Sequence, residues 1–220
     1  MDILIEYLYI IPAALIAIIF HEFAHALVSY MFGDPTPKYS GRLSLNPTKH
    51  LDIVGTLSLI LFHFGWAKPV SIDPTYYKKP KLGTTIVSLA GPLMNFILVT
   101  LSFLILGLIL KIQVESGLFD NVILNIIYKF FSYLAILNIG LGIFNLIPIP
   151  PLDGSKIIGI VLPDKAYQEY MGYQRYGMFF MIGFLILITI LEYMGFNSPI
   201  SLVIDKVFGW FAEITRNIYF

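Results

Sequence analysis

Residues 20–26 read Phe-His-Glu-Phe-Ala-His-Ala, so His21 and His25 stand four positions apart with Glu22 directly after the first histidine. Positions four apart on an α-helix lie about 40° apart around its axis, so the two imidazoles share one face. Two imidazoles in this arrangement can bind one zinc ion, and a glutamate beside them can act on a zinc-bound water. Because the pattern has only three fixed letters, a chance match is the alternative, and a third ligand elsewhere would decide between them.

The motif lies inside an apolar segment that runs from about residue 3 to residue 32. A membrane-spanning helix needs roughly 20 apolar residues, so this segment is long enough to cross a bilayer with His21 well inside its apolar length. Ionisable side chains at that depth are costly and usually mark a functional site. Without a metal, a carboxylate and two imidazoles would each need another partner inside the bilayer.

The composition is that of a polytopic membrane protein. Of the 220 residues, 57% are hydrophobic and 13% are charged, and the mean hydropathy is +0.79, whereas ordinary globular domains carry roughly 25% charged residues. The net charge of +0 gives no reason to expect nucleic acid as a partner. The chain has no cysteine, so disulfides, thiolate metal sites and thiol nucleophiles are excluded and any metal must be held by histidines and carboxylates. The acidic N-terminal residues argue against a cleaved signal peptide.

The apolar segments predict an all-α bundle of about 4–6 transmembrane helices. The expected helices cover residues 3–32, 83–110, 118–147 and 176–194, with an amphipathic helix at 200–220. We expect residues 1–220 to form a single integral-membrane domain, with a core at 3–162 and accessory helices at 176–220.

A short re-entrant or β element is expected between the first two long helices. The alternation at residues 42–45 predicts a short strand, and residues 51–64 are apolar but too short for an ordinary span. His50 lies in a polar loop and is expected to be solvated. His63 is expected to be structural or interfacial, with a gating role as the alternative.

Positive charge predicts the orientation in the membrane. The residues expected on the cytoplasmic side are Lys38, Arg42, Lys49, Lys68, Lys78, Lys79, Lys81, Lys156, Lys165 and Arg175. The 111–120 loop, with Lys111, is expected outside. This orientation brings His25 and Asp153 to similar depths, towards the cytoplasmic side.

Two further polar residues have two readings each. Asn95 follows Gly91 and Pro92 in an apolar helix, and it either makes a hydrogen bond between helices or lines a site. Asp153 follows a proline-rich stretch, and it is either the N-cap of a helix beginning at Gly154 or a metal ligand. Spacing alone does not decide either case.

Three stretches together resemble the site-2 proteases, which are membrane-embedded zinc metalloproteases. They are His-Glu-Phe-Ala-His at 21–25, Ala-Gly-Pro-Leu-Met-Asn at 90–95, and Asn-Leu-Ile-Pro-Ile-Pro-Pro-Leu-Asp-Gly at 145–154. The stretches 41–47 and 65–70 are similar to the compact prokaryotic branch of that family.

The resemblance covers about residues 15–195 and implies one zinc ion per chain. It implies that His21, His25 and Asp153 are the metal ligands and that Glu22 is the catalytic carboxylate. It also implies that Asn145 contacts the scissile peptide and that Asn95 lines the site. From the length of 220 residues we expect neither the PDZ nor the CBS domain that many family members carry.

The function implied is intramembrane proteolysis: hydrolysis of a peptide bond within or next to a transmembrane helix of a substrate protein. The expected partners are transmembrane protein substrates and the lipid bilayer, and the expected location is a prokaryotic plasma membrane. A membrane zinc-binding protein that holds helices without cutting them is one alternative, and an ion transporter is another. Substrate identity, gating and oligomeric state are left open.

Overall fold

The computed structural model describes residues 2–52, 55, 68–195 and 198–220. Within these ranges the regular structure is helical, and no strand occurs. The α-helices are α1 (Asp2–Met31), α2 (Thr36–Tyr39), α3 (Pro47–His50), α4 (Pro80–Ser116), α5 (Val122–Asn145), α6 (Gly154–Ile157), α7 (Asp164–Gly172), α8 (Gly177–Tyr193) and α9 (Pro199–Tyr219). Short 3-10 turns cover Pro74–Tyr76, Ile158–Ile160 and Tyr173–Tyr176.

Three of the described helices, α1, α4 and α5, are long and apolar enough to cross a membrane. A fourth span is present if Asp164–Tyr176 and Phe179–Leu191 form one bent segment. One side of α4 exposes Leu93, Ile97, Leu101 and Leu108, each between 47% and 56% accessible. Large apolar side chains exposed along a whole helix suit lipid better than water. The predicted all-α, multi-pass architecture is therefore confirmed.

Helices α1, α8 and α9 begin and end within one residue of the predicted positions. Helix α4 continues to Ser116, six residues beyond the predicted end, so Lys111 lies on this helix and not in the predicted 111–120 loop. Helix α1 ends at Met31, and Gly33 follows with a φ of 96°. This left-handed conformation suits glycine after a helix C-terminus.

The region between α1 and α4 differs from the prediction. Residues 42–45 form an irregular segment between α2 and α3, with a bend at 43 and 44, instead of the expected strand. Local contacts account for this, because the Arg42 N–H donates to the Pro37 carbonyl at 2.8 Å and His50 Nε2 lies 2.5 Å from the Ser44 carbonyl. His50 is fully buried and not solvated as predicted. The re-entrant element predicted at 51–64, including His63, lies outside the described residues apart from 51, 52 and 55.

The chain forms two compact units. The first comprises Met1–Ala17, Asn95–Phe144 and Gly183–Phe220. Its core is a buried cluster of Val99, Phe103, Leu106, Ala135 and Ile139 from α4 and α5. The amphipathic helix α9 packs on this cluster, with the Phe211 ring 5.4 Å from the Phe103 ring between centroids.

The second unit comprises Ile18–Met94 and Asn145–Ile182. It contains the C-terminal half of α1, the first turns of α4, and the loop that leads from α5 into α6. The loop is tightly folded at Gly154, where a Cβ atom would lie 2.3 Å from the Ile147 carbonyl oxygen. All three segments carry residues that the sequence singled out.

Candidate metal centre

Helix α1 presents both histidines to the interior of the second unit. His21 and His25 are 5% and 8% exposed, as expected for two positions on one buried helix face. His25 Nδ1 lies 2.7 Å from the Val87 carbonyl oxygen of α4. A carbonyl can only accept, so Nδ1 carries the proton and the lone pair of a neutral ring is on Nε2. The ring is thereby oriented with Nε2 towards the interior of the unit.

Asp153 completes a group of three donor atoms. Its Oδ2 lies 3.2 Å from His21 Nε2 and 3.0 Å from His25 Nε2, and the two Nε2 atoms are 3.1 Å apart. The Asp153 side chain makes no capping hydrogen bond at the start of α6. Asp153 occupies the N-cap position as predicted, but its carboxylate does not cap the helix and points to the histidines instead.

The three donor atoms fit a zinc ion. Two imidazole nitrogens and one carboxylate oxygen are a donor set found in catalytic zinc sites, and tetrahedral bonds of about 2.0–2.1 Å would separate neighbouring donors by about 3.3 Å. The observed separations of 3.0 to 3.2 Å are close to that value. Gly91 leaves the necessary space, because a Cβ atom there would lie 2.4 Å from His25 Nε2 and 2.6 Å from His21 Nε2.

The Asp153 carboxyl is poised to be ionised. Burial alone would raise its pKa, but the adjoining His25 and His21 imidazoles and the charge of Lys156 together lower the pKa below the usual range. An ionised carboxylate is the form that binds a metal.

Glu22 faces the same cavity and is held by a backbone group. The Val70 N–H donates to Glu22 Oε2 at 3.1 Å. A carboxylate accepts with both oxygens, so a bond to one leaves the other able to accept from water.

The segment that carries Val70 is attached to the end of α1 by a buried carboxylate. Asp34 is fully buried and accepts from Ser29 Oγ at 2.7 Å, the Thr36 N–H at 2.9 Å and the Asp73 N–H at 2.8 Å. Burial alone would raise the pKa of Asp34, but these hydrogen bonds lower it below its ordinary value. Ser29 also shares a hydrogen bond of 2.7 Å with the Tyr77 hydroxyl.

A cavity of about 150 Å³ surrounds the donor atoms. The described residues that line it are His21, Glu22, His25, Pro69, Val70, Ile72, Val87, Ser88, Asn145, Pro151, Asp153 and Lys156. Asn145 thus lines the cavity, and its contact with a scissile peptide stays a prediction. Asn95 belongs to the first unit, where its amide donates to Asn138 Oδ1 at 2.7 Å and faces the Ala17 carbonyl at 3.4 Å.

Known proteins similar to this chain share one family. Residues 111–190 match Peptidase family M50. YwhC of Bacillus subtilis (strain 168), which carries a provisional zinc metalloprotease name, is 40% identical over 169 residues, or 77% of this chain and 76% of YwhC. This chain belongs to peptidase family M50. The resemblance to site-2 proteases is confirmed, and the M50 protein is a multi-pass membrane zinc protease.

Other relatives of this M50 protein also carry zinc metalloprotease names. Rip2 of Mycolicibacterium smegmatis, also provisionally named a zinc metalloprotease, is 28% identical over 188 residues, or 83% of this chain and 68% of Rip2. The zinc metalloprotease MJ0392 of Methanocaldococcus jannaschii is 39% identical over 88 residues, covering 40% of this chain and 22% of MJ0392. No solved structure matches the chain significantly.

Sequence reasoning misses several groups in the cavity of this M50 protein. In the sequence, Lys156 serves only as one of the positive charges that predict the membrane orientation. Ser88 has no predicted role, yet its buried hydroxyl has no hydrogen-bond partner among the described residues. The Val70 N–H and the Val87 carbonyl are backbone groups and leave no signal in residue identity. Gly91 suggests only close helix packing from its sequence, and its contact with both imidazoles depends on tertiary structure.

Proposed function

We propose that this M50 protein is an intramembrane zinc metalloendopeptidase. It hydrolyses a peptide bond within or next to a transmembrane helix of a substrate protein. In this proposal His21, His25 and Asp153 hold one zinc ion, and Glu22 is the general base. The observation that carries the proposal is the convergence of three donor atoms from residues up to 132 positions apart, with Glu22 in the same cavity.

The residues of this chain have distinct tasks in the proposed reaction. Zinc, when bound, supplies a water of lowered pKa and a Lewis acid for the scissile carbonyl. Glu22 takes the proton of the attacking water and gives it to the leaving nitrogen. The Val70 N–H fixes one Glu22 oxygen and so orients the carboxylate. Asn145, which lines the cavity, donates in this proposal to the peptide carbonyl as negative charge develops on its oxygen.

The proposal includes a locally unwound substrate. The backbone N–H and C=O groups of an intact helix are bonded to each other within the helix. A peptide bond therefore has to leave this pattern before it can approach the donor atoms. Substrates with glycine or proline near the cleaved bond would unwind more readily.

The setting of the reaction is also part of the proposal. The surplus of lysine and arginine in the loops expected to be cytoplasmic supports a plasma membrane location with the active site towards the cytoplasm. Residues 1–220 would act as one integral-membrane protease domain.

The test separates metal binding from catalysis in purified protein. Glu22→Gln should keep one zinc per chain and lose cleavage of a transmembrane substrate, because it removes only the base. Asp153→Ala should lose both zinc and cleavage. Zinc is measured by elemental analysis and cleavage by mass spectrometry. Full cleavage by Glu22→Gln, or unchanged zinc in Asp153→Ala, would overturn the proposal.

A further inference from the structure

Among the described residues that line the cavity, Lys156 is a cation with no part in the proposed reaction. It stands three positions after Asp153, and its side chain is 24% exposed. Lys156 Nζ lies 3.7 Å from Asp153 Oδ1. The other carboxylate oxygen, Oδ2, is the one that faces His21 Nε2 and His25 Nε2. The two oxygens of Asp153 therefore have different partners.

The backbone of Lys156 is fixed on both sides. Its N–H donates to the Asp153 carbonyl at 2.9 Å, and its own carbonyl accepts from Thr85 Oγ1 of α4 at 3.3 Å. The preceding turn is packed so closely that Gly154 has no room for a Cβ atom. The backbone that carries the ammonium is therefore fixed next to Asp153, and the ammonium itself lies on the Oδ1 side of the carboxylate.

A carboxylate can bind a metal through one oxygen or through both. A nearby cation that occupies one oxygen leaves only the other for the metal. Groups that contact a ligand in this way orient it and control the metal's properties. In a centre of two imidazoles and one carboxylate, one bond from Asp153 leaves the fourth tetrahedral position for water, whereas two bonds would crowd it.

We propose that Lys156 is a positioning residue of the metal centre: its ammonium engages Asp153 Oδ1, so that the carboxylate offers only Oδ2 to the metal. This inference rests on the proposed function, because it requires that His21, His25 and Asp153 are the ligands. The ammonium orients the carboxylate, which favours metal binding, but it also repels a divalent cation. Metal affinity therefore contains two opposing effects. The number of bonds to the metal reports the positioning directly.

The experiment loads the purified full chain with Co²⁺, whose visible absorption is strong in four-coordinate sites and weaker in five-coordinate sites. Lys156→Met should lose intensity in the visible band at saturating Co²⁺, because Asp153 then binds through both oxygens. Lys156→Arg should keep the wild-type spectrum because it restores a cation. Lys165→Met is the matched control, since it removes an exposed lysine of α7 that does not line the cavity.

The outcomes separate this inference from the proposed function. A wild-type spectrum in Lys156→Met would overturn the positioning role and leave the metal centre intact. Absence of any visible band in the wild type, or an unchanged band in His21→Ala, would instead refute the centre, and the positioning role with it. If Lys156→Met does not fold, Lys156→Gln is used instead. X-ray absorption of the zinc-loaded wild type also reports how many Asp153 oxygens bind the metal. Two oxygen bonds from the carboxylate in the wild type would contradict the proposal.

Discussion

Among single residues, Gly91 shows that the metal centre leaves no space for a larger neighbouring side chain. A Cβ atom at this position would lie within 2.6 Å of both histidine Nε2 atoms, in the space that a metal ion needs. Real Cβ atoms do not approach other atoms so closely, so the imidazoles would have to move apart from each other.

We therefore expect Gly91→Ala to abolish stoichiometric zinc binding. Elemental analysis of the purified protein measures the effect. Gly209→Ala is the matched control, because Gly209 is an exposed helical glycine and an added Cβ atom there would meet no other atom within 4 Å. One zinc per chain in Gly91→Ala would show that the cavity is more adaptable than this structure indicates.

Asp34 is the second residue whose environment predicts a measurable effect. Three donors converge on its buried carboxylate. Asp34→Asn places an NH₂ group against at least one of them, because each carboxylate oxygen accepts a hydrogen bond. An unsatisfied buried donor costs about 1–3 kcal/mol. We expect the variant to lose stability of that order in thermal unfolding at neutral pH, whereas Asp205→Asn, at an exposed position of α9, should not.

The pH dependence of this effect follows from the lowered pKa of Asp34. A carboxyl whose pKa is lower in the folded state stabilises the protein above its unfolded pKa, which is 3.8 here. That stabilisation falls as the pH drops below 3.8 and is lost below the folded pKa. The difference in unfolding temperature between wild type and Asp34→Asn should therefore narrow in acid. A constant difference across this range would contradict the ionised-acceptor account.

At the scale of elements, the long helices could be predicted from apolar length and the short ones could not. The segments predicted at 83–110 and 118–147 correspond to α4 and α5. Helices α2 and α3 have four residues each, too few to produce a periodic pattern. His50 shows the same limit, since its polar sequence neighbours predict exposure while tertiary contacts bury it.

The pairing of α4 with α5 in the first unit tests the two readings of Asn95. Its amide donates to Asn138 Oδ1, and Asn138 Nδ2 donates to the Leu134 carbonyl. Hydrogen bonds between membrane helices contribute about 0.6 kcal/mol on average and up to about 1.7. We expect Asn95→Ala and Asn138→Ala to destabilise the protein to a similar extent, with a double variant no worse than the sum.

Cleavage per folded molecule distinguishes the roles. If Asn95 only joins the helices, both variants keep the wild-type rate. A loss of cleavage in Asn95→Ala alone, with Asn138→Ala unaffected, would instead favour the predicted role of Asn95 in the active site.

At the scale of the whole molecule, charge distribution predicts which side of the membrane each loop faces. The native chain has no cysteine, so single cysteines report position without background. Lys79 and Asp120 are both exposed and lie before and after helix α4. In intact cells a membrane-impermeant maleimide should label Asp120→Cys, and it should label Lys79→Cys only after permeabilisation. The reverse pattern would contradict the proposed cytoplasmic active site.

Some residues of the candidate centre can be predicted from the sequence, and others become apparent only in the folded molecule. Spacing on one helix is enough to pair His21 with His25, because helix geometry is local. Asp153 could be linked to them only through resemblance to a family, since no local rule connects residues 128 positions apart. Lys156, Gly91 and the Val70 N–H needed the folded structure, because their importance lies in what they contact.

In the proposed mechanism, Glu22 beside a His21–His25–Asp153 centre cuts membrane proteins. The most direct test compares membranes containing wild-type protein with membranes containing Glu22→Gln. New protein termini are identified by mass spectrometry. We expect termini within or beside transmembrane segments that appear only with the wild type. The same set of termini in both membranes would contradict the proposed mechanism.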